Sequence, residues 1–206
     1  VGYGLAGAKL SSGSAVASSP ITKVTAEEYL ALDRAAGFRS ELIDGEIIAM
    51  SGGSSRHSKL QINLALEVES ALRGTPCQAF SADLRVRVSP RMYTYPDLTV
   101  VCGKPLLADD RQDILLNPKV IFEVLSPSTE HYDRGLKFRS YREINSLTDY
   151  ILVDQDQARI EQFTRGDAHT WTFRDYQDAS ELLLIESIGI SVPIARIYER
   201  IEFPSE

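Results

Sequence analysis

The segment Lys119-Val-Ile-Phe-Glu-Val-Leu125 is almost wholly branched and aromatic, a composition that suits the pleated surface of a sheet. Tyr95-Pro-Asp-Leu-Thr-Val-Val-Cys102 reads as a second strand of the same kind. Both have the character of central strands, so the sheet that holds them must be covered by other layers. A single carboxylate interrupts each run. Asp97 opens the first, behind Pro96, a residue that belongs at a strand's first position or edge. Glu123 sits within the second, and period-two geometry puts it on the face of Ile121 and Leu125. Burying an ion there is costly unless it is paired or bound to metal.

The remaining chain supplies the covering layers. Ile21 to Phe38 predicts a short helix: Thr25 precedes Glu28 by the three-residue step of a capping box, and Tyr29, Leu30 and Leu32 follow before Gly37. Arg39 to Met50 predicts a hairpin about Asp44-Gly45. His57 to Leu72 predicts a second helix with an apolar stripe of Leu60, Leu64, Leu66, Val68 and Leu72. Phe80 to Val88 alternates, with Leu84, Val86 and Val88 on one face and Asp83, Arg85 and Arg87 on the other, a half-buried strand turned at Ser89-Pro90. A helix from Glu130 to Ile144 precedes a strand, Asp149 to Asp154, with its hairpin partner Arg159 to Thr164. Further β-like stretches lie around Trp171 to Phe173 and Leu182 to Ile185, and Ile194 to Ile201 is helical.

From His57 the core order is helix, strand, strand, strand, helix, strand. This predicts an α/β fold, a mixed β-sheet flanked by α-helices, with extra β-hairpins at both ends. A chain of 206 residues is expected to hold one domain, over 21–201. Residues 1–20, mostly Gly, Ala, Ser and Val, read as a flexible and partly vector-derived tail, a poor signal peptide, and 202–206 as a C-terminal tail. No apolar run is long enough for a bilayer span, and the net charge of -7 argues against coating nucleic acid by bulk attraction. Cys77 and Cys102 make no spaced framework for disulfides or zinc, so a reducing cytoplasm is the expected compartment.

Two acids on adjacent strands can share one cation. Mg²⁺ or Mn²⁺ accepts a pair of carboxylates with water and phosphate oxygens, whereas zinc asks for His or Cys ligands that the segment around Glu123 lacks. The alternative is a structural salt bridge. On the helix that follows, Asp133, Lys137 and Tyr141 are spaced i, i+4, i+8 and share one polar face. Lys137 could reach back to the Glu123 strand and stabilise charge on a phosphoryl oxygen; the alternative is a solvated Asp-Lys pair. Other motifs carry less. Gly2, Gly4, Gly7 and Gly13 make no phosphate loop. Ser126 and Ser128 near His131 lack a nucleophile elbow and read as a turn. Trp171 and Phe173 read as core.

Tyr95-Pro-Asp97, Phe122-Glu-Val-Leu-Ser-Pro-Ser-Thr129, Asp133-Arg-Gly-Leu-Lys137 and Tyr141, preceded by Glu41-Leu-Ile-Asp-Gly-Glu46 and His57, together resemble the Uma-two family. That family is placed in the PD-(D/E)XK nuclease superfamily, and the resemblance spans about Ile21 to Ile201. It implies a restriction-endonuclease-like core and a metal-dependent endonuclease hydrolysing DNA. Asp97 and Glu123, with a backbone carbonyl near Val124, would hold Mg²⁺ or Mn²⁺. The superfamily's strand-borne lysine is replaced here by Leu125, and the resemblance implies that Lys137 takes its role in assisting the attacking water. Glu41 and His57 match recurring family positions and would approach the metal. Arg85, Arg87, Arg134, Arg139 and Arg142 could form a local basic surface for DNA, and a homodimer is expected because many duplex-cutting enzymes use two-fold symmetry. Two rivals remain: a nucleic-acid-binding or protein-interaction module that has lost turnover, and an acidic scaffold whose carboxylates are salt-bridged to Arg85 or Lys137.

Overall fold

The computed structural model describes residues 23–50, 52–167 and 170–204. The expected tail 1–20 and the last two residues of 202–206 lie outside the described residues. Helix α1 (Ala26–Ala35) starts on the expected capping box: Thr25 Oγ1 accepts from the Glu28 N–H at 3.2 Å and Glu28 Oε2 accepts from the Thr25 N–H at 2.8 Å. The hairpin β1 (Ser40–Ile43) and β2 (Glu46–Ala49) turns at Asp44 and Gly45, whose φ angles of 51° and 88° are the left-handed pair a two-residue turn needs. Helix α2 (Ser55–Ala71), capped by Ser54, buries Leu60, Leu64 and Val68.

The next part of the chain departs from the sequence expectation. The alternation from Phe80 to Val88 is shared by two strands, β3 (Cys77–Ser81) and β4 (Arg85–Ser89), which a turn sends into different sheets. Likewise β5 (Met92–Thr94) and β6 (Leu98–Cys102) belong to different sheets, and Tyr95-Pro96-Asp97 is the crossing between them. A proline with no N–H to offer a ladder suits that crossing. The short β7 (Ile114–Leu115), unexpected from sequence, pairs in parallel with β4. Then follow β8 (Val120–Val124), α3 (Glu130–Tyr132), a π-helical turn over Asp133–Lys137, α4 (Phe138–Tyr141), β9 (Asp149–Val153), β10 (Ile160–Arg165) and β11 (Trp171–Tyr176). The chain closes on β12 (Leu182–Ile185), β13 (Ile190–Pro193) and α5 (Ile194–Ile197), where a longer final helix and no β13 were expected.

The architecture is mixed α/β with two principal sheets, in place of the single sheet expected. One runs β2-β1-β5-β4-β7; the other runs β11-β10-β9-β8-β6-β3, parallel only between β8 and β9; β12-β13 form a small third. The first hairpin is therefore part of a sheet, and β10-β11 extend the central one. Phe122, Val124, Leu98 and Val100 pack one face of the central sheet on α2, α5 and β12-β13. Ile121, Leu125 and Val101 pack the opposite face on Tyr141 and on Val86, Val88 and Met92 of the five-stranded sheet. Phe173, expected in the core, is 54% exposed.

Cys77 and Cys102, opposite each other on β3 and β6, are joined in a disulfide. This overturns the expectation that they make no disulfide framework: residues 25 positions apart become cross-strand neighbours only when the sheet forms. Among the described residues no helix is long and apolar enough to cross a membrane.

Candidate active site

The antiparallel ladder between β6 and β8 ends at Leu98 opposite Phe122. Asp97 directly precedes Leu98 and Glu123 directly follows Phe122, so the two acids adjoin at this end of the ladder. Glu123 takes the face of Ile121 and Leu125 that its period predicts. Asp97 is clamped from two sides: Oδ2 accepts from the Val124 N–H at 2.6 Å and Oδ1 from Gln61 Nε2 at 2.6 Å. At Val124, then, the group that meets Asp97 is the N–H. His57, one helical turn before Gln61 on α2, brings Nε2 to 3.6 Å from Asp97 Oδ2.

Glu123 is 3% exposed. Its Oε1 accepts from Lys137 Nζ at 3.0 Å and from the Tyr141 hydroxyl at 2.9 Å, and that hydroxyl also lies 2.9 Å from Thr94 Oγ1. Lys137 reaches Asp133 Oδ1 at 3.2 Å and Glu41 Oε1 at 3.4 Å. Glu41, on β1, also accepts from the Tyr95 N–H at 3.2 Å and the Tyr132 hydroxyl at 3.0 Å. All seven residues singled out from sequence thus meet in one place, Asp97 and His57 on one side and Glu41, Asp133, Lys137 and Tyr141 around Glu123. The helical face of Asp133, Lys137 and Tyr141 is polar but buried, against the alternative of a solvated pair.

One lysine among these carboxylates leaves a surplus of negative charge. Burial pushes the Glu123 carboxyl well above the ordinary range; Lys137 opposes this, while Asp133, Asp97 and Glu41 add to it. Burial likewise raises Asp97, against the Val124 N–H, His57, Lys137 and Gln61. Burial works against the Lys137 ammonium, but Glu123 and the other neighbours outweigh it and hold its proton more tightly than usual. All of these residues except Tyr141 line a cleft of about 1320 Å³.

A hard divalent cation would relieve that surplus. Among the described residues no three His, Cys, Asp or Glu side chains form a ready cage, yet Mg²⁺ keeps much of its water and needs only one or two carboxylates. Both ring nitrogens of His57 are buried without a hydrogen-bond partner beside Asp97, an orphaned donor set of the kind a bound group would satisfy. The residues fit a hydrated cation held between Asp97 and Glu123.

Sequence reasoning missed Gln61, although its four-residue step from His57 places both on one helical face. It also missed the network behind the site. Arg85 is 3% exposed and donates to Asp33 Oδ2 and the Tyr95 hydroxyl, each at 2.6 Å. Arg85 therefore contributes nothing to a basic surface and does not pair with Asp97. Arg134 is held by Glu130 and Glu161. The expected basic surface reduces to the exposed Arg87, Arg139 and Arg142.

The family model described as Uma2, "Putative restriction endonuclease", matches residues 26–195. The uncharacterized protein slr1290 of Synechocystis sp. is 37% identical over 189 residues, covering 90% of this chain and 97% of that protein. A second uncharacterized Synechocystis protein, sll1609, is 36% identical over 152 residues, 73% of this chain and 86% of its own length. In three dimensions the chain is similar to a crystal structure described as a "putative nuclease belonging to DUF820" from Anabaena variabilis. The TM-score is 0.70 at 19% identity, over 85% of this chain and 97% of that one.

Proposed function

The chain belongs to the Uma2 family, described as "Putative restriction endonuclease", and from that premise we propose that it is a metal-dependent endonuclease hydrolysing DNA phosphodiester bonds on a restriction-endonuclease-like core. One observation carries this reading: Lys137, delivered by a helix, lies 3.0 Å from Glu123 beside Asp97. A cation, a paired carboxylate and a lysine are the parts that phosphoryl chemistry needs. Asp97 and Glu123 would hold Mg²⁺ or Mn²⁺, which supplies Lewis-acid stabilisation of charge on a phosphoryl oxygen and lowers the pKa of the attacking water. Gln61 and the Val124 N–H orient Asp97. Tyr141 and Lys137 both bond Glu123 Oε1, so Oε2 is the oxygen that would meet the cation. Lys137, tightly protonated, orients water and offsets negative charge in the transition state. Glu41 and Asp133 keep its ammonium in place. The substrate is DNA and the acting species a homodimer, whose two-fold axis matches that of a duplex.

A second reading, a nucleic-acid-binding or protein-interaction module without turnover, is favoured by the three carboxylates that already engage Lys137. Cleavage of plasmid and single-stranded DNA in Mn²⁺ separates the two. The nuclease loses at least about a hundredfold in rate as Asp97→Ala or Lys137→Ala. Equal cleavage by all three proteins would mean a contaminant and would remove the enzyme reading.

A further inference from the structure

An α-helix turns about 100° per residue, so positions i, i+4 and i+8 drift by about 40° at each step. Asp133, Lys137 and Tyr141 would then fan out, with Asp133 and Tyr141 about 80° apart. In the structure all three are buried, and Lys137 and Tyr141 both bond Glu123 Oε1. The π-helical turn Asp133–Lys137 removes the discrepancy. Its wider i→i+5 step rotates less per residue, and such single turns recur at functional sites. The turn also alters the backbone: the Asp133 carbonyl, which in an α-helix would accept from Lys137, accepts from the Phe138 N–H instead. The sheet supplies a further partner for it. Tyr150 of β9, wholly buried, donates its hydroxyl to the Asp133 carbonyl at 3.0 Å. The Tyr150 ring is fixed separately, stacked on Phe138 at 5.5 Å and edge-on to Tyr141 at 5.2 Å.

We propose that the π-turn, pinned by the Tyr150 hydroxyl on the Asp133 carbonyl, is the device that aims Lys137 at Glu123, and that Tyr150 is a positioning residue for the chemistry proposed above. The catalytic part of this inference rests on the nuclease reading; the structural part does not. Tyr150→Phe keeps the ring and its stacking and removes only the hydroxyl. The Phe138 amide, whose N–H closes the π-turn, is expected to exchange about fivefold faster, the ratio set by one buried hydrogen bond. The Lys137 ammonium nitrogen resonance should shift toward that of an unpaired lysine. Cleavage should lose about tenfold in kcat at unchanged KM for DNA, since binding groups are untouched. Deleting Gly135, exposed and with open space at its Cβ position, takes one residue from the turn and should abolish the Lys137 signature. If the deletion variant does not fold, Tyr150→Phe decides the matter alone. An unchanged Phe138 exchange rate and Lys137 resonance in Tyr150→Phe would overturn the proposal. If wild type cleaves no DNA while both spectroscopic changes occur, the nuclease reading fails and the positioning device stands.

Discussion

Lys137 Nζ lies 3.0 Å from Glu123 Oε1 across 14 residues of chain, with both side chains less than one-tenth exposed. Leu125, two positions beyond Glu123 on the same face, is 4% exposed in the apolar cluster that includes Tyr141 and Leu152. The strand itself carries an apolar residue there, and the cation beside Glu123 comes from a different element. Three consequences can be measured in the site and its surroundings, and a fourth at the edge of the central sheet.

Replacing Lys137 by Met leaves Glu123 buried without its cation. Breaking such a pair costs about 3–5 kcal/mol. The loss depends on pH, because Lys137 is what restrains the rise of the Glu123 carboxyl. Without it the native state binds the Glu123 proton more tightly still, relative to the unfolded chain, than wild type does. Stability then falls as pH rises from the ordinary carboxylate value toward the raised one. Urea unfolding of wild type and Lys137→Met at pH 5 and pH 8 should show the larger deficit at pH 8. Equal deficits would contradict the assignment.

Cation binding should release protons. Burial holds both Glu123 and Asp97 above their ordinary values, and a metal takes the deprotonated forms. Apparent affinity for Mn²⁺ therefore drops as pH is lowered, and the heat of binding depends on the ionisation enthalpy of the buffer. Titration calorimetry in two buffers is the check. A buffer-independent heat, or binding unaffected in Asp97→Ala and Glu123→Gln, would exclude this pair as the cation site.

The Asp33–Arg85 pair behaves in the opposite sense. Burial pushes Asp33 up, but hydrogen bonds from Tyr95, Ser40 and Arg85 prevail and hold its carboxyl below the usual range. A lowered carboxylate contributes stability above its unfolded value and loses it as pH falls through the folded one. Asp33→Asn should cost about 3 kcal/mol at pH 7, since Arg85 keeps Asp113 at 3.4 Å as a fallback partner. The variant's stability should also fall less steeply with acid than wild type's, in denaturant titrations from pH 7 to pH 3. Because Tyr95 bonds Asp33 through its hydroxyl and Glu41 through its N–H, the same variant should weaken Mn²⁺ binding.

Reducing Cys77–Cys102 opens a link between residues 25 apart. Loss of roughly 2–4 kcal/mol is expected from the freed chain. The denaturant midpoint with and without dithiothreitol measures it, and Cys102→Ser should show the reduced midpoint under both conditions. Cation affinity should stay the same, since Cys77 and Cys102 pair at the end of the β3–β6 ladder opposite to Leu98, which Asp97 adjoins.

Much of the site was legible in the sequence because it depends on local periodicity. Period two alone sets the face of Glu123 on its strand, and a four-residue step brings Asp133, Lys137 and Tyr141 to one broad side of a helix, which the π-turn then narrows. The capping box at Thr25 and the Asp44-Gly45 turn likewise need only residues a few positions apart. Periodicity reports that a face is buried, and it says nothing of what covers it. Phe80 to Val88 therefore read as one strand, although the chain changes sheets within it.

The amino-acid order by itself determined the strand pair, the acids that interrupt it and the helix that carries the lysine, since steric and apolar preferences act within a few residues. Only the tertiary structure decided that Arg85 turns inward to Asp33, 52 residues away, that Cys77 meets Cys102, that Gln61 clamps Asp97, and that a π-turn held by Tyr150 aims Lys137. Each of these joins groups distant in sequence. Their pairing depends on which layers close against one another, a choice settled by packing the whole core and not by any one segment.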